Sequence, residues 1–278
     1  MIMLFLHGIA QGGRTSEILR EEWLAALNLG LEHSRLPPYK AKTKNRLVVP
    51  FYGDILAGTS ADRKRRSSDY DLLKFAAEFE AEALGPVAVQ ASADRQRKGI
   101  QNWASVLKFT RMIDKSFPDI SARFIQRFLK EVHAYLCDDA THAAVNERVM
   151  EELKEIDDEL VVVSHSLGTV VAFHLLCSLN NKVSVSQLIT LGSPLSIEAV
   201  KTRLRSKPRR PSSVKNWLNG FDVKDIVALH PLDQEHFART KPAITNYSQI
   251  RNFTENHHSI AGYLSDATVA RSISRSLK

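Results

Sequence analysis

The residues most able to do chemistry in this sequence are Ser164-His165-Ser166-Leu167-Gly168. Four apolar residues, Leu160 to Val163, run into them, and a second apolar run, Val170 to Leu176, follows. Strand, sharp turn and helix with a serine at the turn is the pattern of a nucleophile elbow, which presents the Ser166 hydroxyl at the carboxyl end of its strand. Backbones crowd at such a turn, so small residues are needed two places before and two places after the nucleophile. Gly168 meets that need, and Ser164 stands where the usual motif has glycine. A serine hydroxyl alone is a poor nucleophile. It needs a histidine to take its proton and a carboxylate to orient that histidine. Two carboxylates, Asp222 and Asp225, and two histidines, His257 and His258, come later in the chain, in the order Ser, Asp, His. Each acid and each base thus has a rival. Asp222 directly follows Phe221 and could instead cap a turn by accepting from nearby N–H groups.

These residues need elements to position them. Ile2 to Leu6 is a continuous apolar run, suited to a parallel strand covered on both faces. It ends in His7-Gly8-Ile9-Ala10-Gln11-Gly12-Gly13, whose glycines leave the backbone free to expose N–H groups. Thr15-Ser16 with Glu17 opens a helix that stops near Gly30. A second buried strand runs from Leu47 to Asp54. From Tyr70 to about Leu136 the pattern is helical, with a break at Gly85-Pro86 and another at Pro118. Trp103 to Ile113 forms one apolar stripe there, and Phe124 to Leu136 the most regular one in the chain. Val145, Val149, Leu153 and Ile156 mark another helix. Strands then follow at 160–163, 187–191, 214–221 and 247–253, with helices between them and a last helix from about Tyr263. Six strands alternating with helices predict an α/β fold: an open, mainly parallel sheet with helices on both faces. In such sheets active residues gather at the carboxyl ends of the strands, and Ile9, Ser166, Asp222 or Asp225, and His257 or His258 all fall there.

Composition narrows the class. The 278 residues are 44% hydrophobic and 25% charged, as in a soluble globular protein, and suffice for one domain over 1–278. The net charge of +7 favours anionic partners. Two basic runs, Arg63 to Arg66 and Lys201 to Arg210, could supply that contact. The second is expected on a helix, as a solvated and partly mobile helix end. Neither run is accompanied by a nucleic-acid-binding module. Cys137 and Cys177 fit no metal spacing and no disulfide framework, which points to a reducing compartment and a cytoplasmic protein. No leader and no transmembrane run is expected.

Taken together, five stretches resemble the α/β-hydrolase superfamily, of the lipase and serine-esterase type, over nearly the whole length. They are His7-Gly8-Ile9, Ser164 to Gly168, Thr190-Leu191-Gly192-Ser193-Pro194, Asp225-Ile226-Val227, and His258-Ser259 with Gly262-Tyr263-Leu264. The resemblance implies the α/β-hydrolase fold, here starting at the His-Gly strand, and serine-hydrolase chemistry on a small-molecule or lipid ester. It assigns Ser166 as nucleophile, His258 as base and Asp225 as its acid, with the backbone N–H groups of Ile9 and Leu167 as the oxyanion hole. It requires no metal or organic cofactor. The helical surplus within 60–137 reads as a cap or lid over the site, or as padding on the sheet. An acyltransferase or thioesterase would use the same triad, and a non-catalytic binding protein could keep the fold.

Overall fold

The computed structural model of the chain describes residues 1–40, 46–62, 69–85, 121–154, 158–179 and 183–278. Its strands are β1 (Ile2–Leu6), β2 (Arg46–Val48), β3 (Leu160–His165), β4 (Val185–Leu191), β5 (Val214–Gly220) and β6 (Thr245–Tyr247). They form a single six-stranded sheet in the order β2-β1-β3-β4-β5-β6, and every neighbouring pair is parallel. In chain order the helices are α1 (Ser16–His33), α2 (Gly53–Asp62), α3 (Asp69–Leu84), α4 (Ala122–Cys137), α5 (Asp139–Leu153), α6 (Leu167–Leu179), α7 (Glu198–Lys201), α8 (Ile260–Leu264) and α9 (Ala267–Ser276).

Both faces of the sheet are covered, which explains why β1 and β3 are apolar runs with no polar alternation. Side chains alternate across the pleat. Leu4, Leu6, Val162, Leu188 and Trp217 face one apolar cluster, which α2 to α7 complete. Met3, Phe5, Val161, Val163, Ile189 and Leu218 face another, completed by α1, α8 and α9. α4 is the most amphipathic of the first group. Ile125, Phe128, Leu129, Val132 and Tyr135 are all buried, as the regular stripe predicts.

The strand order positions the site. The chain leaves β1 for β2 on one side and returns to β3 on the other. Ligand crevices in such sheets open at the carboxyl ends of the two strands flanking this reversal. His7-Gly8-Ile9 follows β1 and Ser166 follows β3.

Several elements differ from the sequence reading. The second strand, expected over 47–54, is Arg46–Val48, and α2 begins at Gly53. The strand expected over 247–253 is confined to Thr245–Tyr247; beyond it the backbone turns away and makes one isolated antiparallel bridge, Asp222 with Gln249. The helix expected through Lys201 to Arg210 ends at Lys201. Its cations are drawn into intramolecular contacts: Arg203 pairs with Glu78, Arg205 with Asp139, and Arg210 donates to the carbonyls of Val214 and Pro242. The run is thus an anchored turn segment, in place of a mobile helix end. The last helix is two helices, because Asp266 caps α9 by accepting from Thr268 and Val269 N–H. Arg63 to Arg66, and the Trp103 to Pro118 part of the candidate lid, lie outside the described residues. Among the described residues no helix is long and apolar enough to cross a membrane. Cys137 is exposed and Cys177 buried, and among the described residues neither is in a disulfide.

Candidate active site

Ser166 sits between β3 and α6 with φ +54°. A left-handed backbone is strained for any residue but glycine, so the surroundings must hold it. They do so on both sides. The Ser166 N–H donates to Leu191 O at 3.0 Å, and the Ser166 carbonyl accepts from Thr169 Oγ1 at 2.7 Å. Thr169 Oγ1 also lies 2.8 Å from Ser193 Oγ. The small residues around it have separate reasons. A Cβ on Gly168 would lie 2.2 Å from Leu6 O, and one on Gly8 would lie 2.7 Å from Ser166 Cβ. Ser164 fits because its hydroxyl donates to Ile189 O at 3.1 Å.

Asp225 and His258 come together as a bonded pair. His258 Nδ1 donates to Asp225 Oδ2 at 2.7 Å. The same oxygen accepts from the Tyr263 hydroxyl at 2.5 Å, while Asp225 Oδ1 accepts from Val227 N–H at 2.9 Å. Burial and the Asp225 charge push the Tyr263 hydroxyl well above the ordinary phenol range, so it stays a donor. With Nδ1 committed, the other ring nitrogen of His258 is left as an acceptor. Among the described residues, His258 Nε2 and Ser166 Oγ are both buried and neither has a hydrogen-bond partner. Buried polar atoms are nearly always paired, so each of these two is open to a further partner.

Ser166 and His258 are linked through the last residue of β3. His165, next to Ser166, donates from Nε2 to the His258 carbonyl at 2.6 Å, and the two rings lie 4.7 Å apart. Burial holds His165 well below the ordinary imidazole range, which keeps it neutral in that role. A Cβ on Gly192, at φ +55°, would meet Asp225 Oδ2 at 3.0 Å and His258 Cε1 at 3.1 Å. From α4, the Phe124 ring stands edge-on to His258 at 5.4 Å.

The rival pair does different work. Asp222 accepts from Lys224 N–H at 2.8 Å and from Asn252 N–H at 2.7 Å, joining the loop after β5 to the loop after β6. His257 Nδ1 donates to Asn252 O at 2.9 Å and lies 3.8 Å from Asp222 Oδ2. Its backbone is left-handed, at φ +51°.

The loop after β1 is gripped from several directions. Tyr52 N–H donates to His7 Nε2 at 3.1 Å, so His7 carries its proton on Nδ1 and donates to Gly8 O at 2.8 Å. The Tyr52 hydroxyl donates to His7 O at 2.5 Å, and its ring stacks on His7 at 3.8 Å. Burial lowers the His7 pKa to about 4. The Ala10 N–H donates to Glu131 Oε2 on α4 at 3.0 Å. Burial raises the Glu131 carboxyl, and this N–H and Arg127 oppose the rise. No bond among the described residues occupies the Ile9 or Leu167 N–H.

Sequence reasoning did not pick out His165, Glu131, Phe124 or the Tyr263 hydroxyl as site residues. Glu131 carried a usable signal, a carboxylate seven residues after Phe124 on an otherwise apolar stripe. Among the described residues no group of three His, Cys, Asp or Glu side chains is placed to hold a metal ion. Comparison with family models, with curated proteins and with solved structures returns no match.

Proposed function

We propose that the chain is a serine hydrolase of the α/β-hydrolase type that cleaves a carboxylic ester through an acyl-enzyme. The observation that carries this reading is the Asp225–His258 bond, which leaves His258 Nε2 as a buried acceptor without a partner among the described residues, as Ser166 Oγ also is. The doubly wound strand order and the left-handed Ser166 turn support it further. In this mechanism Ser166 Oγ attacks the ester carbonyl carbon while His258 Nε2 takes its proton. Asp225 holds the imidazole in the Nδ1–H tautomer and stabilises the imidazolium. The tetrahedral oxyanion meets the unoccupied N–H groups of Ile9 and Leu167. Collapse breaks the bond to the alcohol, which leaves with the proton from His258. Water, activated by the same nitrogen, then attacks the acyl-enzyme and releases the acid.

A fluorophosphonate probe with peptide mapping tests this, together with p-nitrophenyl esters from acetate to palmitate. The expected result is one adduct, on Ser166, absent in Ser166→Ala, and hydrolysis of at least part of the ester series. An adduct on Ser164, or no adduct and no hydrolysis, overturns the reading.

A further inference from the structure

We propose that Glu131 is a positioning residue of this site: its carboxylate reaches from α4 to the loop after β1, latches the Ala10 N–H and thereby fixes the direction of the Ile9 N–H. The proposal rests on the serine-hydrolase reading. A carboxylate is expensive to bury, and Glu131 is only 3% exposed. Its two oxygens are divided. Oε1 takes Arg127 Nε at 3.2 Å, one turn back on the same helix, and Oε2 takes the Ala10 N–H at 3.0 Å.

The bonded residue is not an ordinary one. Ala10 has φ +64°, a left-handed conformation that is strained for a residue with a side chain. A loop free to relax would leave it. The peptide on the near side of Ile9 is also fixed, because His7 Nδ1 holds Gly8 O at 2.8 Å. A trans peptide is planar, with its C=O and N–H pointing opposite ways. Holding Gly8 O therefore aims the Ile9 N–H away from His7. Holding the Ala10 N–H stops the following peptide from rotating and undoing that aim. Ile9 is thus gripped on both sides while its own N–H stays unoccupied.

α4 is suited to this task. Phe124, Arg127 and Glu131 recur at i, i+3 and i+7, so they share one face of the helix. Phe124 packs against His258 and Glu131 holds the oxyanion loop. One rigid element therefore sets the distance between the base and the donor that must serve the same tetrahedral intermediate.

Two conservative variants separate reach from charge. Glu131→Gln keeps an acceptor at full length and loses the charge; Arg127, half exposed, can swing away. Glu131→Asp keeps the charge and the Arg127 partner but withdraws the carboxylate by one methylene. With p-nitrophenyl esters, the Gln variant should keep kcat within about threefold of wild type. The Asp variant should lose roughly tenfold to a hundredfold in kcat, approaching the effect of deleting a donor, with KM changed less than about threefold. Amide exchange supplies a readout independent of activity. In the unmodified chain the Ala10 N–H should be as protected as the core of α4, and in Glu131→Asp it alone should exchange at least about tenfold faster. Equal losses in both variants, a loss confined to Gln, or an Ala10 N–H that exchanges as an open loop would each overturn the latch. If the Ala10 protection is found but wild-type protein neither labels at Ser166 nor hydrolyses esters, the serine-hydrolase reading fails, and the positioning role falls with it while the bond itself stands.

Discussion

Two Asp–His pairs lie in the same two loops, three residues apart on one side and one residue apart on the other. Asp225 and His258 meet at 2.7 Å, with the histidine's second nitrogen unpartnered. Asp222 and His257 stand 3.8 Å apart, with both carboxylate oxygens already bonded to backbone N–H groups. Residue type does not separate the pairs, nor does burial of the acids, because both carboxylates are buried, although His258 is the more buried histidine. What separates them is the demand that the local backbone makes on each acid. Asp222 meets the donors of two loops and ties them together. Asp225 meets one such donor with Oδ1 and has Oδ2 free for a side chain. An acid can orient a base only where the backbone has not claimed it first.

The sharpest way to break this contrast is at the atoms that react. Ser166→Ala and His258→Ala should each lower ester turnover by about 10⁶-fold, and Asp225→Asn by about 10⁴-fold. His257→Ala and Asp222→Asn should be far milder in the same assay of p-nitrophenyl ester hydrolysis. A dead His257→Ala beside an active His258→Ala would reverse the roles of the two histidines.

That these residues would compete was legible in the sequence, because type, order and strand ends could be read there. The six strands, their parallel sense and the cover on both faces were legible too, since apolar runs leave one packing solution. The site's supports were not. Glu131 is bonded 121 residues away, and nothing local marks a glutamate as the partner of a loop that distant. The segment after β6 looked like a strand because apolar and polar residues alternate in it, yet Asn252 is pulled over to Asp222, and that pull ends the ladder. The basic run looked solvated because its acceptors, Glu78, Asp139 and several carbonyls, all lie outside it.

Acid should destabilise the fold through two other histidines. Two buried histidines accept a backbone N–H at Nε2: His7 from Tyr52, and His174 from Arg205. Burial lowers the His7 pKa to about 4 and that of His174 to about 3. The unfolded chain protonates them near 6.5, so between pH 6.5 and these values it binds more protons than the folded one. Stability should be full above about pH 6.5 and fall as pH drops toward 4, by roughly 3 kcal/mol for His7 alone. Urea unfolding at pH 7 and pH 4.5 measures this. An equal midpoint at both would show that these rings charge freely in the folded protein.

Asp222→Ala probes the other half of the contrast. It leaves two backbone N–H groups unpaired, and each bond to a charged acceptor is worth about 1.5–3 kcal/mol. The variant should lose about 3–6 kcal/mol in urea unfolding while keeping turnover within about tenfold. A loss of turnover with no loss of stability would move the acid to Asp222. Tyr263→Phe gives the smallest effect and tests the bridge between the pairs, because the hydroxyl donates to Asp225 and accepts from Asp222 N–H at 3.2 Å. Its removal should cost about 1 kcal/mol of stability and a severalfold drop in kcat with KM unchanged.

The two small positions of the elbow drift under different rules. At 168 any side chain strikes the carbonyl oxygens of Leu6 and His7, 2.2 and 2.5 Å from where its Cβ would sit. Backbone cannot be exchanged for something smaller, so a lineage has no route away from glycine there. At 164 the residue lies inside β3, beside a carbonyl of β4 that a hydroxyl can bond. Glycine at 168 is thus dictated by backbone atoms that cannot give way, whereas at 164 a small side chain has a neighbour to bond.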